Sequence, residues 1–334
     1  TKNLLDSFIL IFREILSKSF YPVLQPAFGV GSAFEGWSPG EEDIIYRLLV
    51  PLQPPRGHAF HLELDTTQAM PVRNFGIRVE LVCTCTNEQL AGEMLCFLHH
   101  PEEELRRNQD PSFIGTLCTG SYLDVQKTAR WFQQLVKASW VVLPQSATDR
   151  LTMVPSSCSC KFQVTERNNK IVFIEVMSES PCCTPNIFLS SETTEAIFTP
   201  STMWSESYSV AEVKFFRETA RNAPEDSCHL RCLQLCDRIV VATGFSTSIM
   251  KTVVMHLLTT APLSRWRRKH FLLRLLDIMQ YLCCCLEEKR LNHFFFGNEN
   301  VPEEIVLPAA FQMAEPLNLF QHLAQDPDAH VEAL

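Results

Sequence analysis

The chain has 334 residues, 38 of them acidic and 29 basic, for a net charge of −9. That length suffices for one large domain or two lobes, and the acidic balance argues against general nucleic-acid binding, which needs a clustered basic surface. Apolar content of 46% is ordinary for a globular protein, 11 glycines leave little room for long disorder, and 14 cysteines are unusually many.

The cysteine spacing (Cys83/Cys85, Cys158/Cys160, Cys182/Cys183, Cys283 to Cys285) is not that of a disulfide framework, and no secretory signal is present. Reduced core thiols in the cytosol are expected. No stretch reaches the ~20 uninterrupted apolar residues of a membrane span. The chain opens inside an amphipathic helix without an initiator methionine, as a domain excised from a longer protein would.

Leu4, Leu5, Phe8, Ile9, Phe12, Ile15 and Leu16 recur at helical spacing, and Pro22 stops that helix. Gly31-Ser32 is expected at the end of an amphipathic helix. Ile44 to Val50, His58 to Leu64 and Arg73 to Cys85 are expected as strands, separated by Pro54-Pro55 and by turns at Thr66 to Pro71. Asn87 can cap a helix running through His99, and Glu102 to Arg107 is expected as a polar connection. Asp124 to Leu143 is a long helix with Trp131, Leu135 and Ala138 inward. Cys160 to Glu166 and Lys170 to Met177 form a hairpin around Asn168-Asn169. The Ser/Thr/Pro-rich stretch Thr184 to Thr202 separates two lobes, and the chain is helical almost throughout from Tyr208. The domains are expected at 1–190 and 203–334.

Gly31-Ser32 can offer backbone N–H groups and a hydroxyl to phosphate. Glu41 and Asp43, two apart at the head of a strand, point the same way and can share a divalent metal such as Mg²⁺. Two-metal phosphoryl chemistry asks for a third carboxylate, and Glu175, charged within an apolar strand, is the candidate. The competing reading makes Glu41-Glu42 surface turn residues and pairs Glu175 with an Arg or Lys. Cys228, Cys232 and Cys236 share one helix face and suit a core better than a zinc tetrahedron. Arg265, Trp266, Arg267, Arg268 and Lys269 form the strongest basic run. It is either a solvated surface over a packed Trp266 or an electrostatic partner site with an aromatic anchor. His256 is expected as a satisfied helix-face histidine, and Phe294 to Phe296 as core. No Ser/His/Asp triad, Walker loop or dinucleotide fingerprint is present.

Residues 29–51, 124–133, 228–234, 248–258, 293–298 and 314–320, in that order, resemble the Mab-21 family. That family has a nucleotidyltransferase-like fold and includes the cyclic GMP-AMP synthases. Within it, the chain is most similar to the inositol-trisphosphate-receptor-interacting protein family. The resemblance implies an α+β protein, a mixed-sheet nucleotidyltransferase-like lobe with an N-terminal spine helix followed by an all-helical lobe. It implies a membrane segment outside this chain, with this domain facing the cytoplasm, and a regulatory role at the inositol trisphosphate receptor in calcium release. It also implies that Lys251, within 248–258, faces a nucleotide cleft.

Two departures bear on activity. A Glu stands where active enzymes carry the third Asp, and misplacing a carboxylate by ~1 Å can cost ~10²-fold in rate. The loop Phe34 to Gly40 is short and carries Trp37, which can fill the nucleotide's space. The expected protein is therefore a non-catalytic pseudo-nucleotidyltransferase with Glu41, Asp43 and Glu175 as vestiges. No metal or cofactor is expected, and its partner is a protein rather than a specific nucleic acid. The alternatives are an intracellular domain of a cell-surface ligand or signalling protein, and a Mg²⁺-dependent nucleotidyltransferase.

Overall fold

The computed structural model describes residues 2–16, 19–38, 44–65, 73–85, 94–184, 186–191, 200–241 and 245–325. Helix α1 (Lys2–Leu16) turns Phe8 and Phe12 inward, and Phe12 meets Phe132 edge-on at 6.3 Å. Strands β1 (Val23–Leu24) and β2 (Phe28–Val30) precede α2 (Ser32–Glu35). Then come β3 (Ile45–Gln53), β4 (His58–Leu64), β5 (Asn74–Leu81), α3 (Glu102–Asn108), β6 (Cys118–Thr119) and β7 (Tyr122–Leu123). Helix α4 (Val125–Trp140) follows, started by Asp124, whose side chain accepts from the Lys127 backbone N–H. Strands β8 (Arg150–Val154), β9 (Cys160–Thr165), β10 (Ile171–Thr184), β11 (Ile187–Ser190) and β12 (Met203–Ser207) complete the sheet. Asn169 takes the left-handed conformation, φ 64°, that the β9–β10 turn demands. The chain continues through α5 (Ser209–Asn222), α6 (His229–Val241), α7 (Thr247–Thr260), α8 (Phe271–Glu287), α9 (Ala309–Gln312) and α10 (Gln321–Gln325). Among the described residues no helix is long and apolar enough to cross a membrane.

The chain divides into two compact units. One comprises 1–29 and 45–207, the other 30–44 and 208–334. The first holds a mixed sheet in the order β1-β3-β10-β11-β12-β5-β7-β6, with β4 on β5 and β8 joined through β9 to β10. Its centre is the parallel pair β3–β10, in register from Phe173 against Ile45 to Glu179 against Pro51. Val50, Leu52, Ile174 and Met177 are buried there, as expected of strands covered on both faces. The second unit is helical. Phe215, Phe216, Val253, Val254, Ile278, Phe294 and Phe295 are buried in it, and Phe215 meets Phe294 edge-on at 5.0 Å. The order of a mixed-sheet unit and a helical unit agrees with the α+β reading.

Four local expectations are corrected. Ala138, expected inward on α4, is exposed. Gly31-Ser32 does not end an amphipathic helix. Helix α1 stops at Leu16, and Gly31, at φ 78°, opens the single turn α2 instead. Residues 102–108 form α3 rather than a connection. Three glutamates in its first turn and two arginines in its last match the helix dipole. The helix expected from Asn87 through His99 is not helical at 94–99. There the chain turns, with His99 and His100 N–H both donating to Cys96 O at 3.2 Å. Residues 87–93 lie outside the described residues. The segment 30–44, expected with the sheet, groups instead with the helical unit, and residues 203–207, expected in the helical lobe, form β12 of the sheet.

Candidate functional site

Lys251, the candidate phosphate ligand, lies on α7 and is buried. Its ammonium contacts Glu35 Oε1 at 2.7 Å and Glu212 Oε2 at 2.8 Å. Helix α2 supplies Glu35 and α5 supplies Glu212. Trp37 is buried beside them, donates from Nε1 to Glu35 Oε2 at 2.6 Å, and places its ring 5.9 Å from the Lys251 nitrogen. Burial alone would lower the Lys251 amine, but Glu212 and Glu35 outweigh it and hold the amine above its ordinary value. Burial raises the Glu35 carboxyl, with the Lys251 charge opposing it and Glu212 adding to it. In the same turn, Gly31 O accepts from Phe34 and Glu35 N–H, and Ser32 O accepts from Gly36 and Trp37 N–H.

Glu175 lies in the sheet unit on β10, level with Arg47 of β3 and Lys161 of β9. Its carboxylate takes Arg47 Nε at 3.3 Å, Lys161 Nζ at 3.1 Å and the Ser159 hydroxyl at 2.8 Å. Two cations and a hydroxyl thus meet this buried charge, as the pairing alternative expects. Glu41 and Asp43 lie outside the described residues, so no three-carboxylate constellation is assembled among the described ones.

The basic run separates by exposure. Arg265, Arg267, Arg268 and Lys269 face solvent, whereas Trp266 is 0% exposed, with Arg274 5.8 Å from its ring. An exposed aromatic anchor at Trp266 is therefore corrected to a packed core residue. The backbone here is pinned: Trp266 O accepts from Cys228 N–H at 2.6 Å, and Arg268 N–H donates to Asp226 O at 2.8 Å. Directly after the run, α8 exposes Leu272 (73%) and Leu276 (66%), one helical turn apart. The sequence reading missed this apolar face because it weighed the charges alone. Leu272 and Leu276 at i and i+4, next to four cations, were the available signal.

Cys228, Cys232 and Cys236 are buried, and burial raises all three thiols. They are core. His256 shares its Nε2 with Asn292 O at 2.8 Å, as a satisfied helix-face histidine does. The twelve cysteines whose side chains the structure describes are free thiols. A second grouping escaped the sequence reading: Cys83, Cys85, Cys96 and His99 bring their ligand atoms within 4.8 Å of one another.

Residues 230–327 match the family described as the Mab-21 protein HhH/H2TH-like domain. Over 100% of its length the chain is 34% identical to rat inositol 1,4,5-trisphosphate receptor-interacting protein-like 1, covering 62% of that protein. It is 27% identical, over 96% of the chain and 62% of the relative, to human inositol 1,4,5-trisphosphate receptor-interacting protein. With the mouse receptor-interacting protein it shares 31% identity over 89% of the chain and 58% of the relative. The chain thus spans about three-fifths of the length of the curated relatives it matches. Residues 230–327 are thus similar to the Mab-21 C-terminal module, and the chain is similar along essentially its whole length to the inositol 1,4,5-trisphosphate receptor-interacting proteins.

Proposed function

We propose that this chain is a non-catalytic, cytoplasm-facing domain of a membrane-associated regulator, acting through protein contact. The observation that carries the reading is the commitment of Lys251. Its ammonium is buried between Glu35 and Glu212. Withdrawing it to meet a nucleotide's phosphates would leave two buried carboxylates facing an incoming polyanion, a cost of several kcal/mol. Glu175 points the same way, because Arg47 and Lys161 occupy its carboxylate. Relatives named for interaction with the inositol trisphosphate receptor make that receptor the proposed partner, and we propose calcium release as the process modulated. The proposed contact is the exposed Arg265, Arg267, Arg268 and Lys269 beside Leu272 and Leu276. No cofactor is required. Mg²⁺ would enter only through the nucleotidyltransferase alternative.

The test combines two measurements on the purified chain. With ATP, GTP and Mg²⁺ or Mn²⁺ it should form no cyclic dinucleotide or other nucleotide product. Immobilised, it should capture detergent-solubilised inositol trisphosphate receptor. Reversing Arg265, Arg267, Arg268 and Lys269 to Glu should weaken that capture about tenfold at low salt, and much less at high salt. A product abolished by Asp43→Asn would replace this reading with the enzyme. Absence of capture, with proximity labelling in cells marking cell-surface signalling proteins instead, would replace the receptor with the cell-surface alternative.

A further inference from the structure

The sheet unit gathers three thiols and one imidazole at the end of β5. Cys83 and Cys85 follow the strand directly, and Cys96 and His99 come from the turn at 96–99. Cys85 Sγ lies 3.0 Å and Cys83 Sγ 3.6 Å from His99 Nδ1. All four ligand atoms fall within 4.8 Å of one another. A zinc tetrahedron, with Zn–S about 2.3 Å and Zn–N about 2.0–2.1 Å, has ligand-to-ligand edges of roughly 3.5–3.8 Å. The cluster is already on that scale.

The backbone holds these side chains in place. Val82 N–H donates to Gly57 O at 2.9 Å, fixing the chain as it leaves β5. Leu95 N–H donates to Gln109 Oε1 at 2.8 Å, and Phe97 packs edge-on against Phe20 at 4.9 Å and beside His58 at 5.3 Å. Cys96 is buried. Each pair of ligands is thus borne by a tethered segment, and the two segments converge.

We propose that Cys83, Cys85, Cys96 and His99 bind one structural Zn²⁺ that ties the end of β5 to the 96–99 turn. Three sulfurs and an imidazole nitrogen are a soft, four-coordinate donor set that selects zinc over Mg²⁺ or Ca²⁺. Four protein ligands fill the tetrahedron and leave no position for water or substrate, so the ion is structural rather than catalytic. The paired spacings, C-x-C and C-x₂-H from two segments, wrap a tetrahedron in a way that one helix face cannot.

The test uses the full chain, reduced and stripped with a chelator, then given one equivalent of Zn²⁺ and dialysed. Native mass spectrometry should find one zinc per chain. Cys83→Ser/Cys85→Ser and, separately, His99→Ala should lose it. These three residues are exposed, so replacing them opens no core. Cys283→Ser/Cys284→Ser, exposed thiols outside the cluster, should retain the zinc. Co²⁺ in place of Zn²⁺ should give thiolate charge-transfer and tetrahedral ligand-field bands that vanish in the same two ligand variants. Three results would each overturn the proposal: a parent chain that retains no zinc, zinc retained equally by the ligand variants, or a disulfide among Cys83, Cys85 and Cys96 in the chain as isolated.

Discussion

A buried histidine gives the helical unit an acid limit. His229, at the start of α6, is buried, shares its Nδ1 with the Ser227 hydroxyl at 2.8 Å, and has no hydrogen-bond partner for Nε2 among the described residues. Burial pushes its imidazole down from 6.5 to about 4. The folded value lies below the unfolded one. Its stabilising contribution is therefore fully present above pH 6.5 and is lost as the pH falls toward 4. Over the whole window that is about 3 kcal/mol, at ~1.4 kcal/mol per unit. Urea unfolding should show the parent losing more stability between pH 7 and 4.5 than His229→Gln loses. Equal losses would place the acid sensitivity elsewhere. Nothing in the sequence around residue 229 announces this role, because it comes from helices that close over the ring and not from its neighbours in the chain.

Among the elements, α8 and the run before it carry the surface argument. Its inward positions Ile278, Leu282, Cys285 and Leu286 are buried, so Leu272 and Leu276 are surplus to its packing. If they form part of the partner contact, Leu272→Ser/Leu276→Ser should weaken receptor capture without the salt dependence that the charge reversal brings, and should barely move the thermal midpoint. An unchanged capture would leave the four cations as the whole contact. Element identity was legible where local chemistry decides it. Asp124 announces the start of α4, the apolar run from Leu48 announces β3, and Asn168-Asn169 announces the β9–β10 turn. It failed where distant packing decides. The turn at 96–99 follows Phe97 into the Phe20 and His58 contacts, and a helical reading from Asn87 absorbed His99. That hid the imidazole that completes the Cys83, Cys85 and Cys96 cluster.

In the molecule as a whole, a sheet unit followed by a helical unit was expected from the Ser/Thr/Pro-rich stretch Thr184 to Thr202, but the units divide after Ser207, and neither β12 beyond that stretch nor the excursion of 30–44 was foreseen. Lys251 and Glu35 are 216 residues apart in the chain and meet through their side chains. No local signal marks such a pair, and a lysine on α7 is easily read as a cleft residue until its carboxylates are seen. The ion cluster joins α2, α5 and α7, all within the helical unit. Removing its cation leaves Glu35 and Glu212 uncompensated, so Lys251→Met should destabilise that unit by about 3–5 kcal/mol. Lys251→Met/Glu35→Gln should recover part of the loss by deleting one of the stranded charges. Because each unit has its own apolar core, the damage should be local: amide hydrogen exchange should accelerate in α5 and α7 while β3 and β10 stay protected. Equal acceleration in β3 and β10 would mean that the two units unfold as one. An undiminished stability in Lys251→Met would mean that the lysine is not a structural cation, and would return it to the nucleotide reading from which its burial removed it.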